Sequence, residues 1–187
     1  MSRLSKMRRA ELNDAQAEQY DRIARGRKPG EDDQFGGPFD PWIRSHELAR
    51  RAYSFGGYIW ERTSLDRGIV ELAICVTARY WRSNVEWVAH AAAAKRFGIS
   101  DDVLDAVFDE RRPEGASDEV LATWDFCKVL HETKDVPRDI YDRAVGLFGE
   151  QGVVELIAAI GYYTMVSMTL NTFEIPTATG ETPFPRG

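Results

Sequence analysis

Apolar residues recur at three- and four-residue intervals along most of the chain, and no stretch of useful length alternates apolar with polar positions, so the pattern predicts helices and no sheet. Asn13 or Asp14 is placed to cap a first helix through Ala15, Tyr20 and Ile23, with Gly26 at its end. The segment 27–38, RKPGEDDQFGGP, has the glycine and proline content of a loop and predicts either a flexible connection or a lid. A helical pattern over about 41–61 is interrupted by Gly56 and Gly57, where two short helices are expected to meet. From Ser64 or Asp66, the positions Ile69, Leu72, Ala73, Val76 and Tyr80 mark a helix that ends near Trp81. Asn84 to Phe97 predicts the next, closed by Gly98, and its run Ala91 to Ala94 permits close helix contact. Ser100 opens a short helix to about Glu110, and Ser117 opens another through Trp124, Phe126 and Leu130. Pro137 to Phe148 ends at Gly149, and the last helix, Gly152 to about Thr172, is apolar nearly all round. The expected fold is all-α, a helical bundle of about seven to nine helices, without internal repeats or a long heptad array.

A length of 187 residues fits one domain, here with an N-terminal extension 1–38 and a loop-like tail 175–187. The net charge of −6 argues against a nucleic-acid surface, and the basic run Arg3 to Arg9 reads as a solvated tail. Val153 to Leu170 is apolar enough to suggest a membrane span, but Glu155, two tyrosines, two threonines and a serine favour a buried or subunit-interface helix. The charged N-terminus lacks the apolar stretch of a secretory signal, and Cys75 and Cys127 do not make a disulfide framework, so a cytoplasmic location is expected.

Glu86 and His90 stand four apart on one predicted helix and project from one face. If this helix and the preceding one form a hairpin around Ser83, Glu71 comes near His90, giving two carboxylates and an imidazole for acid/base work. The same spacing is also that of an ordinary helix-surface pair. A shared metal would need more ligands than the sequence places, and His46 and His131 read as surface or structural residues, so no metal is expected. Cys75, among Leu72, Ile74 and Val76, reads as a small buried hydrophobe, as does Cys127. Trp81, Trp87, Tyr162 and Tyr163 read as core or interface aromatics that can also wall a pocket, and a buried Asn171 would need a hydrogen-bond partner.

The stretch ELAICVTARYWRSNVEWVAHAAAAKRFGIS resembles the core helical hairpin of the carboxymuconolactone decarboxylase and alkylhydroperoxidase D superfamily. The flanking GPFDPWIRSHELARRAYSFGGYIWERTSLDRGIVEL and VVELIAAIGYYTMVSMTLNTFEIP resemble one subgroup of it, so the likeness spans most of the chain. The resemblance implies an all-helical protomer assembling into trimers or hexamers, with a pocket near the hairpin. The peroxidase branch uses Cys-x-x-Cys-x-x-x-His preceded by a glutamate one helix earlier. Glu71 and His90 are kept here, whereas Ser83 and Glu86 stand at the two cysteine positions. Neither residue can attack a hydroperoxide or resolve the product, which argues against thiol peroxidase chemistry. The decarboxylase branch, active in aromatic compound catabolism, uses no metal or organic cofactor. By that resemblance His90 is the proton donor or acceptor, Glu86 its partner, Glu71 an orienting carboxylate, and Arg79 and Ser83 substrate-binding residues. The expected function is a cofactor-free lyase or isomerase acting on a small organic acid or lactone. The alternatives are residual thiol peroxidase activity and a non-catalytic oligomeric binding or scaffold protein.

Overall fold

The computed structural model describes residues 2–185, and within them it is helical without strands. After a single 3-10 turn at Arg9–Glu11 come α1 (Asp14–Ala24), α2 (Phe39–Ile43), α3 (His46–Glu61), α4 (Arg67–Tyr80), α5 (Asn84–Arg96), α6 (Asp101–Phe108), α7 (Asp118–Thr133) and α8 (Arg138–Thr172). Eight α-helices among the described residues fall within the seven to nine expected. The caps follow the sequence signals: the side chains of Asn13, Asp66, Ser100 and Ser117 accept from Gln16, Gly68, Val103 and Val120 amides in the first turns of their helices. Of the two alternatives for opening α4, Asp66 is the cap, and Ser64 is used elsewhere.

The α4 helix is the axis of the bundle. Every residue from Gly68 to Ala78 is buried, so both its sides must be covered by other helices. On one side Leu72, Cys75 and Val76 pack with Trp87, Phe126 and Leu156 from α5, α7 and α8. On the other, Val70 and Ile74 pack with Ile59 of α3 and with Tyr162 and Leu170 of α8. Burial of α8 on these flanks explains why it is apolar on most sides, and 56% of its most apolar stretch lies inside the fold. The two helices expected over 137–148 and 152–172 meet end to end in α8, at Gly149, whose φ of 68° and ψ of 170° only glycine adopts without strain. The sequence 27–38 is a loop, and it joins Tyr20, Ile23 and Ile43 through Phe35 in a third apolar cluster that seats α1 beside α2 and α3.

Several polar groups inside the bundle are tied down. Glu155, 3% exposed, accepts from the Tyr58 hydroxyl at 2.6 Å, from the Ser64 amide and hydroxyl at 2.7 and 2.6 Å, and from Gln151 at 3.0 Å. Burial acts to raise its pKa, but these donors prevail and bring it down to about 2, so a charged carboxylate pins the α3–α4 connection to α8. Asn171 finds its partner in the Trp81 carbonyl at 2.7 Å. The tail is anchored as well as loop-like: Phe184 exchanges hydrogen bonds with Asn84 and lies between Trp87 and Phe108. Residues 186–187 of the tail lie outside the described residues.

The helical pattern over 41–61 does divide, but at Arg44 and Ser45 rather than at the glycine pair, which lies inside α3. Each helical glycine costs about 1 kcal/mol relative to alanine. Burial of Ile59, Ala52 and Ala49 outweighs this, since one fully buried isoleucine alone contributes roughly 1.5–3 kcal/mol. Gly56 is also needed for space: a Cβ there would stand 2.4 Å from the Tyr162 hydroxyl and 2.9 Å from the ring carbon bearing it, whereas a Cβ at Gly57 would meet nothing within 4 Å. Gly57→Ala should therefore stabilise the fold by about 0.5–1 kcal/mol in urea unfolding. Gly56→Ala should lower stability by about 1–2 kcal/mol, because the clash exceeds the gain in propensity. Equal effects of the two changes would show that Tyr162 does not occupy this niche.

Candidate functional site

Two pairs of residues at four-residue spacing, one on α4 and one on α5, supply the site. Arg67 and Glu71 project from one face of α4, and Glu86 and His90 from one face of α5. The connection between the helices is short, with Arg82 in the left-handed region at a φ of 49°, and brings these faces together. His90 Nδ1 lies 2.6 Å from Glu71 Oε2, and the other oxygen of Glu71 pairs with the Arg67 guanidinium. On the far side of the ring, His90 Nε2 lies 3.3 Å from Glu86 Oε2. That contact is an ion-pair distance at an angle that makes no hydrogen bond, so this buried carboxylate oxygen has no hydrogen-bond partner among the described residues. The expected triad of Glu71, Glu86 and His90 is thus brought together.

Charge is distributed along this chain of groups with alternating sign. Burial alone would push the His90 pKa down; the hydrogen bond to Glu71 and the Glu86 carboxylate override it and raise His90 from 6.5 to about 9. At neutral pH the imidazole is therefore a cation with an N–H on each nitrogen, held between two carboxylates. Arg67 is a member that sequence reasoning missed, although its four-residue spacing from Glu71 was a readable signal. Its guanidinium lies 3.5 Å from the centre of the Trp60 ring and donates to the Ile59 and Trp60 carbonyls at the end of α3.

His90 and Glu86 face a cavity of about 810 Å³, within the range of small-molecule sites. Its apolar lining comes from Phe39, Tyr53, Trp60, Tyr162, Tyr163 and Val166. Tyr163 meets the His90 ring edge to face at 4.9 Å and Tyr162 at 5.2 Å. These two tyrosines, read from sequence as packing aromatics, are both buried and part of the cavity wall. Burial pushes the pKa values of both hydroxyls up, so they stay protonated. Both ends of the loop 27–38, Arg27 and Pro38, also line the cavity.

Arg79 and Ser83, expected to bind substrate, are not part of this cavity. The Arg79 guanidinium is committed to the Phe108 carbonyl at 2.5 Å and to Glu110 at 3.0 Å, which ties α4 to the end of α6. Ser83 precedes α5 as its N-cap, but its side chain does not cap, and its fully buried hydroxyl is unpartnered among the described residues. His131 is structural as expected: it stacks on Tyr80 at 4.5 Å and contacts the Thr77 hydroxyl at 3.1 Å. Burial, with Lys134 and Lys128 nearby, brings its pKa down to about 4. Cys75 and Cys127 are fully buried, lie outside the cavity lining, and have thiol pKa values raised by burial.

No family model matches the chain, and a comparison with curated proteins found no match. Solved structures do match in fold. A crystal structure of an uncharacterised peroxidase-related protein from Ralstonia eutropha, described as an alkylhydroperoxidase AhpD core, superposes with a TM-score of 0.74 at 14% identity, covering 94% of this chain and 92% of that one. A protein of unknown function from Agrobacterium tumefaciens, described as a candidate AhpD antioxidant defence protein, superposes with a TM-score of 0.64 at 12% identity, covering 75% and 97%. The chain has the AhpD-like helical fold.

The His90 pKa has a direct check in NMR titration of the histidine ring resonances, with the His90→Gln spectrum giving the assignment. A midpoint near 9 is expected, moving down in Glu71→Gln and Glu86→Gln; a midpoint near 6.5 would dissolve the alternating charge chain. Because the folded pKa lies above the unfolded one, the stability that His90 contributes is complete below pH 6.5 and is lost as the pH rises through 9. Urea unfolding at pH 6 and pH 9.5 should show a loss on the order of 1–3 kcal/mol in the wild type that is absent from His90→Gln.

Proposed function

On this AhpD-like fold we propose a cytoplasmic, cofactor-free lyase or isomerase that moves a proton on a small organic acid or lactone. The observation that carries this reading is the His90 cation held between Glu71 and Glu86 against an aromatic-walled cavity. His90 is the general acid, delivering a proton from Nε2 to a carbon or oxygen of the substrate. Glu86, whose Oε2 has no hydrogen-bond donor, is the general base that accepts a proton from the substrate. In an isomerisation Glu86 takes the proton from one carbon and His90 returns one to another, so the two groups exchange protonation states. In a decarboxylation the carbon–carbon bond breaks, its electron pair stays on the substrate, carbon dioxide leaves, and His90 protonates the carbon. Glu71, bonded to Nδ1 and held by Arg67, fixes the ring and keeps it charged until the transfer.

Thiol peroxidase chemistry, suggested by the descriptions of the structural neighbours, would require an accessible thiolate. Burial of both cysteines outside the cavity, with raised thiol pKa values, weighs against it. A screen of lactones and ring carboxylic acids should therefore find turnover, followed in D2O as deuterium incorporation or as carbon dioxide release. His90→Gln and Glu86→Gln should each lower it by about 10²–10⁴-fold, the usual contribution of a positioned acid or base. Cys75→Ala and Cys127→Ala should leave it unchanged. Full turnover by His90→Gln, or thiol-dependent hydroperoxide consumption abolished by Cys75→Ala, would overturn the reading.

The protomer is proposed to work as a homo-oligomer, a trimer or hexamer. On α8, Val154, Ile157, Gly161 and Met168 recur at heptad spacing on the solvent side, with Val154 66% exposed and Ile157 and Met168 47%. A second helix can approach closely at Gly161, where a Cβ would meet nothing within 4 Å. Light scattering after gel filtration should give a multiple of 21.2 kDa, reduced to the monomer by Val154→Glu with Ile157→Glu; a wild-type monomer would refute the assembly.

A further inference from the structure

The chain carries a net charge of −6, yet the exposed part of the cavity lining has the opposite sign. Arg22 from α1, Arg27 just after it and Arg62 after α3 all line the cavity, with Glu61 as the exposed carboxylate beside them. None of the three guanidiniums makes an ion pair or a hydrogen bond among the described residues. Several arginines elsewhere are engaged: Arg67 by Glu71, Arg79 by Glu110, Arg112 and Arg143 by Asp125. The three lie instead over aromatic rings, Arg22 at 6.0 Å from Tyr53, Arg27 at 5.1 Å from Phe39 and Arg62 at 5.6 Å from Tyr58. Such contacts hold each guanidinium by its flat face and leave its N–H edges to meet an anion. Three like charges around one opening raise the free energy of the empty protein, and a bound anion relieves it.

The inner wall offers the same anion less. There the Glu86 carboxylate stands 3.3 Å from the His90 cation, so the two charges offset each other and a substrate carboxylate meets no excess of positive charge. Between inner wall and mouth the lining is aromatic, with Trp60, Tyr162 and Phe39. We propose that the cavity takes a ring-bearing carboxylate, its ring between Trp60 and Tyr162, its carboxylate held at the mouth by Arg22, Arg27 and Arg62, and its reacting carbon turned inward to Glu86 and His90. This rests on the cavity being the substrate site of the proposed function, in its isomerisation form, because a carboxylate held at the mouth is not one lost from the carbon beside His90. It gives the N-terminal extension a role in specificity, since Arg22 and Arg27 lie within it.

Calorimetry on the full chain with 2-naphthoate, 2-naphthamide and 2-naphthyl phosphate tests the assignment. Naphthoate should bind at least tenfold more tightly than the uncharged amide, and its affinity should fall with added salt. Arg27→Gln and Arg62→Gln should each weaken naphthoate about tenfold and leave naphthamide unaffected, whereas Arg25→Gln, on a neighbouring residue outside the cavity, should change neither. Equal binding of acid and amide would overturn the proposal, and so would loss of naphthoate binding in His90→Gln but not in the arginine variants. Tighter binding of the phosphate than of naphthoate would overturn the choice of carboxylate. If naphthoate binding depends on the arginines while His90→Gln leaves all turnover intact, the anion site stands and the acid/base reading fails. If turnover depends on His90 and naphthoate ignores the arginines, the reverse holds.

Discussion

A carboxylate with no exposed surface sits at the centre of this bundle, and the arrangement around it follows from the need to keep it compensated. Glu71 lies in the fully buried part of α4, where an unpaired charge costs several kcal/mol. Arg67 meets one of its oxygens and His90 the other. Each of those partners brings an obligation of its own. The Arg67 guanidinium must be seated, which the Trp60 face and the last carbonyls of α3 accomplish, and the His90 cation needs a second anion, which Glu86 supplies. Three helices are thereby locked in relative position by one line of charges, and the cavity opens where α3, α5 and α8 diverge around it.

Holding a cation between two carboxylates in a mostly apolar wall has a chemical consequence. An exposed imidazole would be largely neutral at physiological pH and serve as a base; here it is kept as an acid, with Glu86 left as the group able to accept a proton. The two roles are separated by environment rather than by residue type. Burial of Glu71, Glu86 and most of the surrounding aromatic wall makes each electrostatic contact stronger than it would be at the surface. Both thiols are buried in apolar surroundings, and the titratable groups that this AhpD-like fold turns to the cavity from the α4–α5 hairpin are Glu86 and His90.

The N-terminal segment takes its place by ordinary packing, through Tyr20, Ile23, Phe35 and Ile43, yet the same packing carries Arg22 and Arg27 to the cavity. A segment that reads as an appendage is in this way structurally continuous with the site. One glycine of α3 has a similar double use: Gly56 weakens its helix slightly and in return admits the Tyr162 hydroxyl, which sets that wall of the cavity.

Helix identity was legible in the sequence because capping residues and three-to-four periodicity are local properties, and four side-chain caps and most of the boundaries followed from them. The pairing of Glu86 with His90 was legible for the same reason, and Glu71 could be added because a short connection leaves two consecutive helices little choice but to lie side by side. What α4 packs against, which arginines face the cavity, and where α3 begins could not be read, since these depend on contacts between residues far apart in the chain. Arg79 illustrates the limit. Its position on α4 suggested a substrate cation, but its direction around the helix axis turns it to α6, where Phe108 and Glu110 hold it. Arg22, Arg27 and Arg62 show the converse: nothing in their spacing marks them, and only the docking of α1 beside α3 assembles them at one opening. The sequence by itself determined which helices form and which titratable residues share a helix face, because those are set within a few turns of chain. The tertiary structure alone decided the charge state of His90, the placing of both thiols outside the cavity and the sign of the cavity mouth, because burial and proximity are properties of the assembled bundle.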